Sequence, residues 1–351
     1  MIDEWNLVPQ VWDAVRHRCD LTSKKGNYIL TCSTRLPDKM QQEKIHHSGA
    51  GRIGTMRMRT MSLLEMGRST GLASIKEMRE GKLKNQINRE VELREIAECL
   101  VRGGWPSNQK TAVRNIGVVP RSYIETILER DINDGKKRNR EKMRRLLVSL
   151  ARNESTIVSM KTLLDDMDDG VKNGREIESR KTLEDYLEAL GRLYLIDNQM
   201  AYTENYRSRG RVGKAVKRHL ADPSLACALL GLTIEKLMGD LRTFGLLFEA
   251  MVERDLRVYL DVMGGELKHF RDNVTGLEVD AILEFKDGGY GVAEIKLGMN
   301  KVEETKKNLV RFARNMEKQP DFMCVIVGKN DVIARDPETG IYIVPAFGLG
   351  V

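Results

Sequence analysis

The C-terminal third of the chain alternates between helical and extended hydrophobic patterns, and this order constrains the fold more than any other feature. Apolar residues recur at helical spacing over 242–263 and again over 302–316. Other stretches alternate apolar and polar residues, as half-buried strands do, at 266–271, 278–285, 290–297, 322–328 and 341–345. A helix, three strands, a helix and a strand, completed by a last strand at 341–345, predict an α/β fold in which helices flank a sheet.

Three ionisable residues fall on the predicted strands at positions that can meet. Asp280 lies among alternating apolar residues on one strand, and Glu294 and Lys296 lie two residues apart on the next. Alternate residues of a strand share a face, so Glu294 and Lys296 point the same way. If the strands pair, Asp280 and Glu294 can share one divalent cation, and Lys296 can orient the attacking water. The other interpretation is a surface strand pair beside a turn-proximal acid.

Glu249 is a third carboxylate that could reach the same place. It shares a face of the first predicted helix with Gly245, Val252 and Leu256. That face would pack on the sheet, where an unpaired carboxylate is unfavourable. A nearby metal ion or lysine would remove the difficulty.

Together these residues resemble the motif of the PD-(D/E)xK nuclease superfamily, in which an acid and then acid-x-lysine lie on consecutive strands. The resemblance implies a restriction-endonuclease-like fold for residues 221–351. It implies metal ligation by Glu249, Asp280 and Glu294, with Lys296 as the catalytic residue. The implied cofactor is Mg²⁺, and the implied activity is metal-dependent cleavage of nucleic acid.

Residues 136–220 are predicted to form a second unit that starts with short helices. The predicted helices and the strand-like stretch that follows them lie at 141–152, 156–167, 178–190 and 193–201. Three helices followed by a hairpin are typical of a winged helix, a variant of the helix-turn-helix. The sequence therefore predicts a winged-helix-like domain between the two ends of the chain.

Two basic segments flank these helices. The first is 136–145, and the second, at the predicted wing, contains Arg207, Arg209, Arg211, Lys214, Lys217 and Arg218. The net charge of +7 mildly favours a polyanionic partner, and a wing is a common contact for nucleic-acid phosphates. Solvated surface is the other explanation. Aromatic residues make up only 5% of the chain, so base stacking on single strands is not supported.

Short motifs spread over the whole chain carry a second resemblance. They occupy residues 2–5, 28–33, 47–52, 58–63, 102–106, 222–226 and 276–280. As a set they resemble a bacterial and archaeal P-loop ATPase family of the AAA type. In that family an ATPase module precedes a domain of uncharacterised function, which has a winged-helix part and a nuclease-like part.

This resemblance implies that residues 1–135 are the C-terminal remnant of an ATPase module with its helical lid. Asp3 and Glu4 look like the Walker B acids, which hold Mg²⁺ and polarise water. The residues implied to bind the nucleotide and its metal are Asp3, Thr31, Ser33 and Arg52, and Glu4 is the implied catalytic acid.

The sequence departs from the ATPase family at the phosphate-binding loop. The pattern Gly-x-x-x-x-Gly-Lys-Ser/Thr does not occur, and residues 210–215 have the wrong spacing and lack the hydroxyl. We therefore expect ATP binding only in a full-length form. A truncated gene or a misassigned start is the expected origin of this chain.

The cysteine usage and hydropathy favour a cytoplasmic protein. The five cysteines are odd in number and never form a Cys-x-x-Cys pair, which argues against a disulfide framework. No uncharged apolar stretch approaches the roughly 20 residues that span a bilayer. Besides nuclease activity and nucleic-acid binding, the sequence leaves two other interpretations open. The chain could be a non-catalytic scaffold for a protein partner or a fragment of an ATP-binding protein.

Overall fold

The computed structural model describes residues 1–22, 26–35, 45, 49–131, 138–168, 179–204, 216–272 and 274–351. The helices of this part are α1 (Val11–Asp20), α2 (Ile75–Arg79), α3 (Leu93–Arg102), α4 (Val118–Thr126), α5 (Arg140–Arg152), α6 (Met160–Met167), α7 (Arg180–Arg192), α8 (Pro223–Leu229), α9 (Ile234–Gly239), α10 (Leu241–Met263) and α11 (Val302–Arg314). The strands are β1 (Ala73–Ser74), β2 (Gln86–Ile87), β3 (Met200–Ala201), β4 (Glu266–Asp272), β5 (Leu277–Glu284), β6 (Tyr290–Lys296), β7 (Phe322–Val327), β8 (Val332–Arg335), β9 (Tyr342–Pro345) and β10 (Leu349–Gly350).

A mixed sheet forms the centre of the C-terminal region. Within the described residues it has eight strands, in the order β2-β8-β9-β7-β6-β5-β4-β3. Antiparallel pairing joins β4 to β5 and β5 to β6, whereas β6 pairs with β7 in parallel. The parallel pair requires a crossover, which α11 provides. β6 therefore lies in the interior of the sheet, and its residues 290–295 are all buried.

Helices cover both faces of this sheet. α10 packs across β4, β5 and β6, on the face that carries Ala281 and Ala293. On the other face, Phe312 of α11 packs in a separate apolar cluster with Ile282 and Val292. The mixed α/β architecture expected from the sequence is thus present, and each predicted helix and strand after residue 241 is found within two residues of its predicted ends.

The long helix α10 is capped at both ends and buried along most of its length. The Asp240 side chain accepts a hydrogen bond from the Thr243 N–H at 3.1 Å, which satisfies a free donor of the first turn. Gly264 ends the helix in the left-handed conformation with φ 71°, where glycine is favoured. Charged residues are nevertheless buried on this helix, and they are Glu253, Arg254, Asp255 and Arg257.

Residues that the sequence assigned to the N-terminal unit contribute to the C-terminal sheet. β2 pairs with β8 and extends the large sheet at its edge, and β1 pairs in parallel with β10. Strands of two residues contain no measurable period, so the hydrophobic pattern could not reveal them. β8, with four residues, was also missed, because it is too short for a clear period. The helices of the described part of the chain are all too short or too charged to cross a membrane.

The Gly103–Gly104 turn brings the helical region against the N-terminal segment. The Met61 N–H donates to the Gly104 carbonyl oxygen at 2.8 Å, and the Asp222 carboxylate accepts from the Gly104 N–H at 2.9 Å. A Cβ atom added at Gly104 would overlap the Met61 backbone. Only glycine allows this approach, because the neighbouring atoms are main chain and cannot rotate away.

We expect Gly104→Ala to destabilise the protein by about 3 kcal/mol, the upper range for an overpacked site. Gly245→Ala is the matched control: Gly245 lies within α10, and a Cβ added there meets no atom within 4 Å. Alanine at that helical position should stabilise by about 0.5–1 kcal/mol. Urea unfolding of both variants measures the difference, and equal midpoints would contradict the packing described for Gly104.

Candidate functional site

Asp280 lies at a β-bulge, which directs its side chain into the gap between two strands. The register of β4 against β5 shifts next to Asp280, so β5 carries one extra residue there. The pairing of β5 with β6 ends at Ala281 and Ala293. Beyond that pair the Asp280 carboxylate accepts a hydrogen bond from the Ile295 N–H at 2.9 Å. The carboxylate therefore replaces a main-chain contact where the strands separate.

Lys296 joins the two acids of the predicted motif. Its Nζ donates to Asp280 Oδ2 at 3.0 Å and to Glu294 Oε2 at 2.6 Å. The Glu294 side chain is 8% exposed, whereas that of Lys296 is 25% exposed. The structure thus brings Asp280, Glu294 and Lys296 together, and the lysine is the member that solvent or a ligand reaches most easily.

The two carboxyl groups respond differently to this environment. Burial, followed by the charge of Asp280, raises the pKa of Glu294 to about 8. Burial also acts to raise the pKa of Asp280, but the charges of Lys296 and Lys217 outweigh it and hold that pKa below its ordinary value. At neutral pH we therefore expect Glu294 to keep its proton while Asp280 is ionised, as for two acids that share one site.

Glu249 contacts a lysine that the sequence analysis placed on an exposed wing. The Lys217 ammonium donates to Glu249 and also to Glu253 Oε1 at 2.8 Å, one turn further along α10. The Lys217 side chain is only 6% exposed. Lys217 is therefore not a surface phosphate contact. The sequence predicted that a metal ion or a lysine would pair with Glu249, and in the structure that partner is Lys217.

Both members of this ion pair have shifted pKa values. Burial lowers the pKa of Lys217, but the charges of Glu249, Glu253 and Asp280 outweigh it and raise that pKa above its ordinary value. Burial and then the charge of Asp280 raise the pKa of Glu249 well above its ordinary value, although Lys217 opposes this. The influence of Asp280 on both groups indicates that the two acid–lysine pairs form one electrostatic unit.

A buried network of polar side chains holds the main chain of Asp280 in place. Gln199 Nε2 donates to the carbonyl oxygens of Lys268 and Asp280, at 2.9 and 3.0 Å, on the two sides of the bulge. Its Oε1 accepts from Arg257 Nη2 at 3.1 Å. The main chain of Asp280 is therefore held by a glutamine from the helical region.

His219 and Glu154 complete the network, and their protonation states follow from burial. Burial, aided by the charges of Arg257 and Lys217, lowers the pKa of His219 well below its ordinary value, so the ring is neutral. Burial raises the pKa of Glu154 to about 8. The protonated Glu154 then donates to His219 Nδ1 at 3.0 Å, and the Nε2–H of the ring faces Gln199 Oε1 at 3.0 Å.

No ready set of metal ligands is present among the described residues, in the sense of three or more His, Cys, Asp or Glu side chains around one position. Lys296 contacts Asp280 and Glu294, and Lys217 contacts Glu249, so each of the three predicted ligands accepts a hydrogen bond from an ammonium group.

The N-terminal residues implied by the ATPase resemblance lie in one small cluster, with one exception. A parallel backbone bridge joins their two segments. The Thr31 hydroxyl donates to the Asp3 carboxylate, and the Ser33 hydroxyl donates to Glu4 Oε2 at 3.2 Å. Arg52 instead pairs with an aspartate at the end of α1.

The basic segments give no described phosphate-binding surface. The predicted nucleic-acid contacts all lie outside the described residues, and they are Arg207, Arg209, Arg211 and Lys214. In the first basic segment, Arg138 is buried and pairs with Asp185 at 2.8 Å, and Arg144 pairs with Glu125 at 2.6 Å. These two arginines connect helices, which explains part of the charge run as structural.

Sequence reasoning missed several residues that the structure adds to the site. The sequence contained a signal for one of them: Glu253 follows Glu249 by four residues, so the two acids share a helical face. Their repulsion predicts a positively charged partner nearby. Nothing comparable marked Gln199, Lys217 or His219. Their partners on α10 and β5 are distant in sequence, and a local pattern contains no information on such contacts.

Two protein-family models match the chain. Residues 93–236 match a domain of unknown function, DUF8612, and residues 244–347 match a domain of unknown function, DUF4143, which is often found in AAA-ATPase-associated proteins. No curated protein and no solved structure matches the chain. Lys217 lies in the first matched region and Glu249 in the second, so their buried ion pair joins the two.

We expect Glu154→Gln to change the pH dependence of stability. Glu154 keeps its proton to about pH 8 when folded, but in the unfolded chain it ionises near its ordinary pKa. The folded state binds more protons between those values, so stability falls as the pH rises through that window. Glutamine copies the neutral carboxyl group. The variant should match wild type near pH 5 and exceed it by on the order of 3 kcal/mol at pH 9.

Urea unfolding at pH 5, 7 and 9 tests this expectation. Glu278→Gln is the matched control, because the Glu278 side chain is 52% exposed and should change stability by less than about 0.5 kcal/mol at every pH. A difference between Glu154→Gln and wild type that does not vary with pH would show that Glu154 is ionised in the folded protein at neutral pH.

Proposed function

We propose that this chain is a divalent-metal-dependent nuclease of the PD-(D/E)xK type, with its site at the point where β5 and β6 separate. The observation that carries the proposal is the position of Lys296. Its ammonium group contacts Asp280 on one strand and Glu294 on its neighbour, at 3.0 and 2.6 Å, and remains partly exposed. Two acids can hold a catalytic metal ion, and a lysine beside them can stabilise the charge that develops in phosphodiester hydrolysis.

The order of elements around the site supports the same proposal. Helix α10 is followed by the antiparallel strands β4, β5 and β6, then by α11 and the parallel strand β7. That order is the one expected of the nuclease superfamily, with the acids on the second and third strands and Glu249 on the first helix. The DUF4143 match to residues 244–347 is compatible with this assignment and names no activity.

The donor groups fit Mg²⁺ or Mn²⁺, and we assign the metal to Asp280 and Glu294. Both offer hard carboxylate oxygens from neighbouring strands. Burial is the largest cause of the pKa of about 8 for Glu294, and the charge of Asp280 is the next. A divalent cation would relieve the repulsion between these two acids. When bound, the metal would supply Lewis acidity and a water molecule of lowered pKa.

The residues of the chain have separate roles in this proposal. Burial acts to lower the pKa of Lys296, but Asp280 and Glu294 outweigh it and raise that pKa, so the lysine keeps its charge. Lys296 neutralises a non-bridging phosphate oxygen and orients the attacking water. Asp280 is fixed from two sides, by the Ile295 N–H on its carboxylate and by Gln199 on its carbonyl oxygen. A site held in this way needs little rearrangement on binding substrate.

Nucleic-acid binding by the preceding region is part of the proposal. Helices α5, α6 and α7 are followed by antiparallel bridges between residues 196–199 and 217–220, an order that supports a winged helix. The phosphate contacts of Arg207, Arg209, Arg211 and Lys214 remain predictions. The nucleotide-binding roles of the N-terminal residues also remain predictions, and these residues are Asp3, Glu4, Thr31, Ser33 and Arg52. The frequent occurrence of DUF4143 in AAA-ATPase-associated proteins supports them.

One observation favours a second candidate function, a non-catalytic interaction module. Every predicted metal ligand already contacts an ammonium group, so the charges of the site are balanced within the chain. Buried ion pairs of this kind can have a purely structural role, in which they specify the fold and take no part in catalysis. Cleavage assays separate the two functions.

We expect the full chain to cleave nucleic acid in millimolar Mg²⁺ or Mn²⁺ but not in chelator. Plasmid DNA, single-stranded DNA and RNA should be tested in parallel. Asp280→Asn should abolish metal-dependent cleavage, because the amide is a weaker metal ligand of the same shape. Lys296→Ala should lower the rate by about 100-fold or more, as for other single charge-stabilising groups, while the metal still raises the melting temperature.

Lys286→Ala is the control for Lys296→Ala, because Lys286 lies in the turn at the opposite end of β6. It should cleave at the wild-type rate. If no substrate is cleaved with either metal and neither metal changes the melting temperature, the nuclease proposal is wrong and the interaction module is favoured.

A further inference from the structure

The ammonium group of Lys217 lies in a position that a metal ion could occupy. It contacts carboxylates from two successive turns of α10, Glu249 and Glu253, and its pKa is also raised by the charge of Asp280. Glu253 is completely buried, and its other oxygen faces His219 Nε2 at 3.3 Å and the Ser155 hydroxyl at 3.4 Å. The cation is therefore enclosed by protein.

The backbone of Lys217 cannot easily withdraw this ammonium group. The Lys217 N–H donates to the Gln199 carbonyl oxygen at 3.0 Å, and the Gln199 N–H donates back to Lys217 at 2.8 Å. These two reciprocal backbone hydrogen bonds fix the position of the Lys217 Cα atom, from which the side chain extends. The side chain of Gln199 is anchored in turn on the carbonyl of Asp280.

The acids outnumber the lysines at this place. Four carboxyl groups, on Glu249, Glu253, Asp280 and Glu294, face two ammonium groups. Nucleases with this many acids can hold two divalent ions, which then stabilise the attacking and leaving oxygens. Here each pair of acids already contacts an ammonium group of the chain: the partly exposed Lys296 at Asp280 and Glu294, and the buried Lys217 at Glu249 and Glu253.

We propose that Lys217 is a tethered cation that fills the second cation position of the site, so that the protein binds one divalent metal and not two. Lys217 then acts as a positioning residue: it holds Glu249 and Glu253 on α10 and leaves Asp280 and Glu294 for the metal. The assignment of the first metal rests on the proposed function, whereas the occupation of the second position by Lys217 does not.

The test counts Mn²⁺ ions bound to the full chain, by equilibrium dialysis and by the melting temperature with and without Mn²⁺. Wild type should bind one ion. Lys217→Ala removes the charge and opens space between Glu249 and Glu253, so it should melt lower in chelator, bind one additional ion and recover most of the loss in Mn²⁺. Lys217→Met removes the charge but fills the space. It should melt lower and gain neither the ion nor the recovery.

The outcomes separate this inference from the proposed function. No ion on wild type but one on Lys217→Ala would support the tethered cation and overturn the metal site at Asp280 and Glu294. One ion on both proteins would overturn the tethered cation and leave the nuclease proposal intact. If Lys217→Ala is unfolded in chelator, millimolar Mn²⁺ should restore its circular dichroism spectrum, and failure to restore it counts against the inference.

Discussion

Helix α10 is buried along most of its length although it carries several charged residues, and the rest of the structure depends on satisfying those charges. An ion in a protein interior loses several kcal/mol of solvation unless a partner replaces the water. The partners come from segments spread over the chain. They are Lys217 for Glu249 and Glu253, Asp222 for Arg254, the Leu63 N–H for Asp255, and Gln199 for Arg257. One helix thereby fixes the N-terminal segment and the helical region against the sheet.

This role explains several short motifs that first suggested an ATPase family. Asp222 accepts from the Gly104 N–H and pairs with Arg254 at 2.9 Å, while Ser224 accepts from the Trp105 indole at 2.8 Å. The Gly-Gly-Trp-Pro and Asp-Pro-Ser motifs are thus two halves of one contact. Their spacing is required by packing, and no chemistry of a nucleotide is needed to account for them.

The need to pair the buried charges of α10 also means that the candidate site contains residues from both matched regions. Asp280, Glu294 and Lys296 come from two neighbouring strands, but the cation that satisfies Glu249 comes from the other matched region. A buried carboxylate without a partner destabilises the fold far more than an exposed one. The acid–lysine unit therefore joins the site to the helical region that precedes it.

The sequence by itself determined the order of helices and strands in the C-terminal region, and it placed Glu294 and Lys296 on one face, because periods of 2 and 3.6 residues are local properties. Only the tertiary structure decided where Asp280 points, since a bulge depends on the register of a strand against both neighbours. It also decided that Lys217 is buried in an ion pair and not exposed to solvent. A lysine has the same sequence signature in water and in an ion pair, and the choice depends on which acids lie opposite in space.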